Sequence, residues 1–121
     1  MNGIHPNGKA TFTAGEAIAK GEFVKFSSGK VVKCEAATDI AIGVALDGAE
    51  AGALVPVQLL TSGDTVLVKA GGAVAQGGTL SCLGTTVATA GALQYGIALD
   101  AAANGELVEA AVGLPAVTKI A

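Results

Sequence analysis

The residues that could carry acid–base or nucleophilic chemistry are few in this sequence and stand far apart. His5 is the only histidine. It lies among the first ten residues, so a Ser-His-Asp or Cys-His arrangement has no base in the rest of the chain. Cys34 and Cys82 do not follow a metal-binding spacing. We therefore expect no catalytic site, no metal and no cofactor, and we expect the cysteines to be buried free thiols rather than a disulfide.

Two acids and one lysine come closest to a reactive arrangement. Asp47 and Asp100 occupy matching places in a repeated phrase, and paired carboxylates can act as general acid and base. Each precedes a turn of small residues, where Asp commonly accepts hydrogen bonds from backbone N–H groups, and we expect that role. Lys69 has some likeness to the swinging lysine of a lipoyl or biotinyl carrier domain. It lacks that lysine's usual acidic or Met neighbour, and the carrier remains an alternative function.

The segments that position these residues are repeated along the chain. GVALDGAEAGALVPV, from Gly43 to Val57, recurs as GIALDAAANGELVEA from Gly96 to Ala110, with eight of 15 positions identical. Upstream, AIAKG at 17–21 matches AVAQG at 73–77. We interpret the pattern as an internal duplication covering about residues 15–60 and 71–116.

Within each copy the apolar residues follow a period of two, which predicts strands rather than helices. Glycine-containing turns separate short segments, and Ser28-Gly29 indicates a hairpin. The sequence thus predicts a mainly β fold, a small β-barrel or sandwich built from two similar halves, with at most short helical turns. The candidate strands are 22–27, 30–34, 53–60, 65–69, 79–82, 86–88, 95–99 and 106–112.

Side-chain burial can also be predicted from the repeat. Leu46 and Leu99 hold equivalent positions and are both expected to point inward, while Phe23 and Phe26 are expected in the core. Residues 1–10 contain two Asn-Gly pairs and Pro6, which predicts a flexible N-terminal arm. A single β domain is expected over residues 11–121.

Composition narrows the possible partners. The net charge of −3 argues against a nucleic-acid groove or an anionic membrane surface. Glycine or a charge interrupts every apolar run well before the roughly 18 residues of a membrane span, and no secretory signal is visible. Charged residues make up 14% of the chain and the mean hydropathy is +0.61, which indicates surface buried against another chain and hence a homo-oligomer. Aromatic residues make up only 3%, but a carbohydrate-binding surface module remains a second alternative.

One stretch of the sequence resembles a known protein family. GEAIAKGEFV at 15–24, followed by GKV at 29–31 and IGVA at 42–45, resembles the DUF2190 family of small tailed-phage structural proteins, thought to be capsid cement or decoration proteins. The resemblance extends over most of the chain. It implies a non-enzymatic, mainly β virion subunit, made in the host cytoplasm, that binds the major capsid protein on the outer surface of the head, often as a trimer.

The arm is the part of the chain that we expect to contact the capsid. It offers little to bury except Ile4, so the isolated domain gives it little reason to order. An exposed edge strand of a shell could provide one through backbone pairing. The predicted contact residues are Asn2, Gly3, Ile4, His5 and Pro6.

Overall fold

The computed structural model describes residues 8–36, 39–60, 65–85 and 93–117. Short antiparallel strands dominate these residues, and no α-helix occurs among them. The mainly β prediction is therefore confirmed. The strands are β1 (Lys9–Thr13), β2 (Phe23–Ser27), β3 (Lys30–Lys33), β4 (Gly43–Ala45), β5 (Leu54–Leu59), β6 (Thr65–Lys69), β7 (Thr79–Leu80), β8 (Leu93–Ala98) and β9 (Leu107–Val117).

Two sheets share one strand order. The first sheet runs β1-β5-β4-β2-β3 and the second runs β6-β9-β8-β7. We call residues 8–60 the first unit and residues 65–117 the second unit. Strands β1, β5, β4 and β2 correspond to β6, β9, β8 and β7, so the second unit repeats the first. Strand β3 has no counterpart among the described residues of the second unit.

The strand register repeats as well. Gly43 faces Leu59 in the first unit, and Gly96 faces Val112, each 53 residues further on, in the second. A Cβ at Gly43 would collide with the carbonyl oxygen of Gln58 on the facing strand. A Cβ at Gly96 would collide in the same way with the facing strand. The repeated glycine therefore lets two strands approach closely.

Both faces of the first sheet contribute side chains to buried clusters. One face supplies Val24, Ala45 and Val57 to a cluster that lies within the first unit. The other face supplies Phe23 and Val44 to a larger cluster that is otherwise built mainly by the second unit. Alternate side chains point to opposite faces of a strand, so one short strand can serve both clusters. The residues of the second unit in the larger cluster are Val66, Val68, Ala70, Val74, Leu80, Cys82, Tyr95, Ala98, Val108, Ala110 and Val112.

Most strand predictions are confirmed, including the hairpin at Ser28-Gly29, where both residues have positive φ, 52° and 79°. The limits of the arm need correction, because β1 begins at Lys9 and takes Lys9 and Ala10 into the first sheet. The expected strand 86–88 lies outside the described residues, and so do residues 1–7. The domain limits otherwise stay a prediction.

Two burial predictions are wrong. Leu99 is 41% exposed and Phe26 is 57% exposed, although both were expected inside. Leu46 is half-buried against the larger cluster, and Phe23 is buried as expected. The physical reason is that the second unit covers Leu46 and Phe23 from outside the first sheet, whereas nothing in the described chain covers the equivalent face of the second sheet.

Candidate interaction surfaces

Tyr95 lies at the centre of the junction between the two units. Its hydroxyl donates a hydrogen bond to the Asp39 carbonyl at 2.8 Å and accepts one from the Ala41 N–H at 2.8 Å. Its ring centroid is 5.4 Å from that of Phe23. Only 1% of the residue is exposed, and burial raises the pKa of its phenol. Tyr95 therefore stays protonated and holds the loop after β3 against the second sheet.

Asp39 organises the same loop from its other side. Its Oδ2 atom accepts hydrogen bonds from the backbone N–H groups of Glu35 at 2.9 Å and Ala36 at 3.0 Å, and from Lys25 Nζ at 2.9 Å. The bond from Glu35, followed by those from Lys25 and Ala36, lowers the pKa of Asp39 to about 2. The carboxylate is therefore a structural anchor of the loop.

The Asp39 contacts predict a pH dependence of stability. The pKa is about 2 in the folded chain against an ordinary value of 3.8, so the charged carboxylate stabilises the fold above about pH 4. That contribution is lost as the pH falls from 4 towards 2. We expect Asp39→Asn to be less stable than wild type at pH 5, with the difference shrinking at pH 2.5. Denaturant midpoints measured at both pH values test this, and a difference independent of pH would contradict it.

The two cysteines lie on opposite sides of the junction and are free buried thiols, as expected. Cys82 Sγ donates to the Ala36 carbonyl at 3.0 Å. A hydrogen bond with Cys82, together with burial, raises the pKa of Cys34. Cys34 is therefore a protonated core residue at neutral pH and a poor nucleophile. Among the residues that the structure describes, no three His, Cys, Asp or Glu side chains are grouped to hold a metal ion.

The acids singled out by the repeat act in turns. Asp47 Oδ1 accepts a hydrogen bond from the Gly48 N–H at 2.8 Å, and Asp100 Oδ1 accepts one from the Ala101 N–H at 2.8 Å. Both side chains are exposed. The expected turn role is confirmed, and it is the same in both units.

Lys69 is placed at the end of β6, where it faces Leu107 on β9. Its backbone N–H donates to the carbonyl of Gly21, in the first unit, at 2.9 Å. A carrier lysine sits on the tip of a tight hairpin, and this position is instead part of the junction between the units. The geometry does not fit the carrier alternative.

Grooves lined by both units lie beside this junction. One has a volume of about 510 Å³ and is lined by Lys9, Lys20 and Gln58 from the first unit and by Thr65 and Leu67 from the second. A smaller one of about 250 Å³ lies beside Phe23 and Cys82. The contact between the units is thus incomplete at its margins.

The most conspicuous surface is the outward side of the second sheet, which we call the outer face. Leu67, Ile97, Leu99 and Leu107 lie on it, each between 41% and 43% exposed. A large exposed apolar patch commonly marks an interface. The sequence did not reveal this face. In the repeat, Ile97 and Leu99 are equivalent to Val44 and Leu46, which the second unit covers, so the same burial was expected.

A second apolar surface lies on the first unit, where its inner side opens to solvent. Phe26 is 57% exposed, and its ring stands edge-on to Phe12, with centroids 5.4 Å apart and planes at 83°. Ile42 and Leu59 are half-buried beside the inner cluster. We call Phe12, Phe26, Ile42 and Leu59 the open rim. Its residues are apolar and no described element covers them fully.

The predicted capsid contacts, Asn2 to Pro6, lie outside the described residues, so the structure does not place them relative to either surface. No helix in the described part of the chain has the length and apolar character needed to cross a membrane.

Comparisons with known proteins give two findings. Residues 4–114 match the model of a family described as phage cement protein. Among solved structures, the chain is similar to the head fiber gp8.5 N base of bacteriophage phi29, with a TM-score of 0.68 and 20% identity over 91% of this chain and 97% of that one. At that identity the likeness shows the fold alone. No curated protein matches the sequence significantly.

Proposed function

The chain belongs to the phage cement protein family, and on that premise we propose that it is a non-enzymatic cement subunit bound to the outer surface of an assembled phage head. The family match over residues 4–114 carries the proposal. The narrower DUF2190-type assignment, suggested by the stretch at 15–24, is part of the same proposal.

The proposed partner is the major capsid protein in its assembled state. A subunit that binds the assembled shell and not its free components stabilises the shell by mass action. At a free concentration 100 times the dissociation constant, this stabilisation is about 2.7 kcal/mol per site. A subunit that contacts two neighbouring capsomers also adds interactions that genome pressure must break before the capsomers separate.

We propose further that the subunit is a homotrimer, made in the host cytoplasm, with neither nucleic acid nor membrane as its partner. The outer face and the open rim support self-association, because each exposes apolar side chains of a small protein to water. The net charge of −3 supports the exclusion of polyanionic partners.

The absence of catalysis is supported by what the polar groups in the junction do. The Asp39 carboxylate, the Tyr95 hydroxyl and the Cys82 thiol each make hydrogen bonds that hold the loop after β3. The carbohydrate-binding alternative finds less support. Phe26 is exposed, but its edge-on contact with Phe12 does not make the flat aromatic platform that stacks on sugars.

Imaging phage heads tests the proposal. Heads from a phage lacking this protein are incubated with the purified chain and compared by cryo-electron microscopy with untreated heads. We expect added density on the outside of the shell, in contact with two or more capsomers. Added density inside the shell or at the tail vertex only, or none at saturating concentration, would rule out the cement role.

The arm provides a separate prediction. Deletion of residues 1–7, which stops short of β1, should leave the unfolding temperature within about 1 °C of wild type and lower capsid occupancy at limiting concentration. The control replaces the same residues by a Gly-Ser segment of equal length, which restores the length but not Ile4. If both variants occupy the capsid as wild type does, the arm is not a capsid contact.

A further inference from the structure

The junction between the two units is an interface whose two sides each have a free counterpart elsewhere on the molecule. On the first unit, the buried side of the junction is formed by Phe23, Val44 and Gln58, which are at most 3% exposed. The equivalent positions on the second unit are Thr79, Ile97 and Ala111. Ile97 is 43% exposed and Ala111 is exposed. The second unit therefore carries a free copy of the surface that the first unit buries.

The surface of the second unit that contacts the first unit also has an equivalent elsewhere on the molecule. On the second unit this contact surface includes Val68, Cys82 and Tyr95, all buried in the larger cluster. Their equivalents on the first unit are Phe12, Phe26 and Ile42, which belong to the open rim. Phe26 is 57% exposed where Cys82 is 2% exposed. Among the described residues, the first unit thus presents a partly uncovered copy of the surface with which the second unit binds it.

The backbone and glycine contacts of the junction also have equivalents in the other unit that are not in contact. Within the chain, the Gly21 carbonyl accepts the Lys69 N–H, and a Cβ at Gly21 would meet Leu107. The equivalent glycine of the second unit, Gly77, has no described atom within 4 Å of such a Cβ. The equivalent of Leu107 is Leu54, which is 69% exposed. Both partners of a second junction are therefore present, and in the described part of the chain they do not contact each other.

We propose that the outer face of one copy docks on the open rim of the next copy, as the first unit docks on the second within each chain. The large and small side chains change places between the two contacts. Within the chain a large Phe23 accompanies a small Cys82, and between copies a small Thr79 meets a large Phe26. The interface further pairs the Gly77 carbonyl with the Thr13 N–H, the equivalent of the Lys69 N–H, across the two copies.

Such a contact joins two different surfaces, so it is heterologous and propagates until the chain of copies closes. Closure after three copies places six similar units around one axis. This ring size rests on the proposed function, which holds the subunit to be a trimer. The docking itself rests on the repeat and on the junction geometry.

Two variants test the docking in the free protein, with no capsid present. Ile97→Asp disables the outer face, and Phe26→Asp disables the open rim. Ile40→Asp is the matched control, because Ile40 is 66% exposed in the loop beside Tyr95 and lies on neither surface. Unfolding midpoints confirm that each variant is folded, and Leu99→Lys is a second outer-face variant should Ile97→Asp not fold, because its equivalent Leu46 packs in the junction.

Sedimentation velocity at micromolar concentration gives the readout. We expect trimers for wild type and for Ile40→Asp, and monomers for each of the other two variants alone. An equimolar mixture of Ile97→Asp and Phe26→Asp should form a heterodimer, because each partner retains the surface that the other has lost. Such rescue does not occur at an interface that joins two identical patches.

The result that overturns the inference is an oligomer that survives either substitution, a mixture that stays monomeric, or a wild-type chain that is monomeric. A monomeric wild type that still decorates heads leaves the cement role standing while removing the docking. Trimers that show the expected rescue but fail to bind heads support the docking and remove the cement role.

Discussion

Replacing Tyr95 by Phe is expected to lower the free energy of unfolding by about 1–3 kcal/mol, the usual effect of leaving buried hydrogen-bonding groups without their partner. The lost hydroxyl serves both the Asp39 carbonyl and the Ala41 N–H, each at 2.8 Å. Tyr95→Ala removes the ring as well and should cost about 3–5 kcal/mol. Equilibrium unfolding in urea measures both values.

The control for Tyr95 is Phe26→Leu, which changes an aromatic ring that is mostly exposed. We expect it to shift the unfolding free energy of the monomer by less than about 0.5 kcal/mol. To separate folding from association, both measurements are made in the Ile97→Asp background. If Tyr95→Phe changed the unfolding free energy as little as the control does, the hydroxyl would not stabilise the junction.

The second large effect is expected at the repeated glycine. Gly43→Ala and Gly96→Ala each place a methyl group against the carbonyl oxygen of the facing strand, at Gln58 or Ala111. Neither neighbour is the end of a flexible side chain, so the strands must separate or shift register. Overpacking of this kind costs about 1–3 kcal/mol and occasionally more. The two substitutions should destabilise to a similar degree, because the strand register around the two glycines is the same.

Gly113→Ala is the matched control for these glycines. Gly113 also lies in a strand, and a Cβ there would meet none of the described atoms within 4 Å. Thermal unfolding should show a drop for the two tight glycines and no drop for Gly113. An equal change at all three positions would mean that the close approach of strands does not explain the repeated glycine.

The strands could be predicted from the sequence because their cause is local. Alternation in 65–69 and 22–27, and turn residues such as Ser28-Gly29, specify extended segments whatever lies nearby. The repeat in turn predicts that the second half folds like the first. Strand β1 escaped prediction because Lys9 and Ala10 follow directly on a segment rich in turn residues, and its pairing with β5 is a long-range contact.

The environment of each face could not be predicted from the same pattern. Leu46 and Leu99 are identical residues in identical phrases, yet one packs against the larger cluster and the other is 41% exposed. A period of two indicates which side chains share a face but not what covers that face. Among the residues that the structure describes, the first sheet has a neighbour on its second face and the second sheet has none, which is a property of how the two units stack.

Tyr95 illustrates the same limit within the junction. Its first-unit equivalent is Ile42, and this change from an aliphatic residue to a phenol was the available signal. The hydroxyl binds backbone groups more than 50 residues away in the chain. Local patterns carry no information on such a partner, so the residue was recognised only once the fold was known.

We propose that this chain stabilises an assembled phage shell. The most direct test heats heads that lack the protein, at increasing occupancy by the added chain, and records with a DNA-binding dye the temperature at which the genome becomes accessible. The cement role predicts that this temperature rises with occupancy and levels off when the sites are full. A rupture temperature that stays constant while occupancy reaches saturation would contradict it.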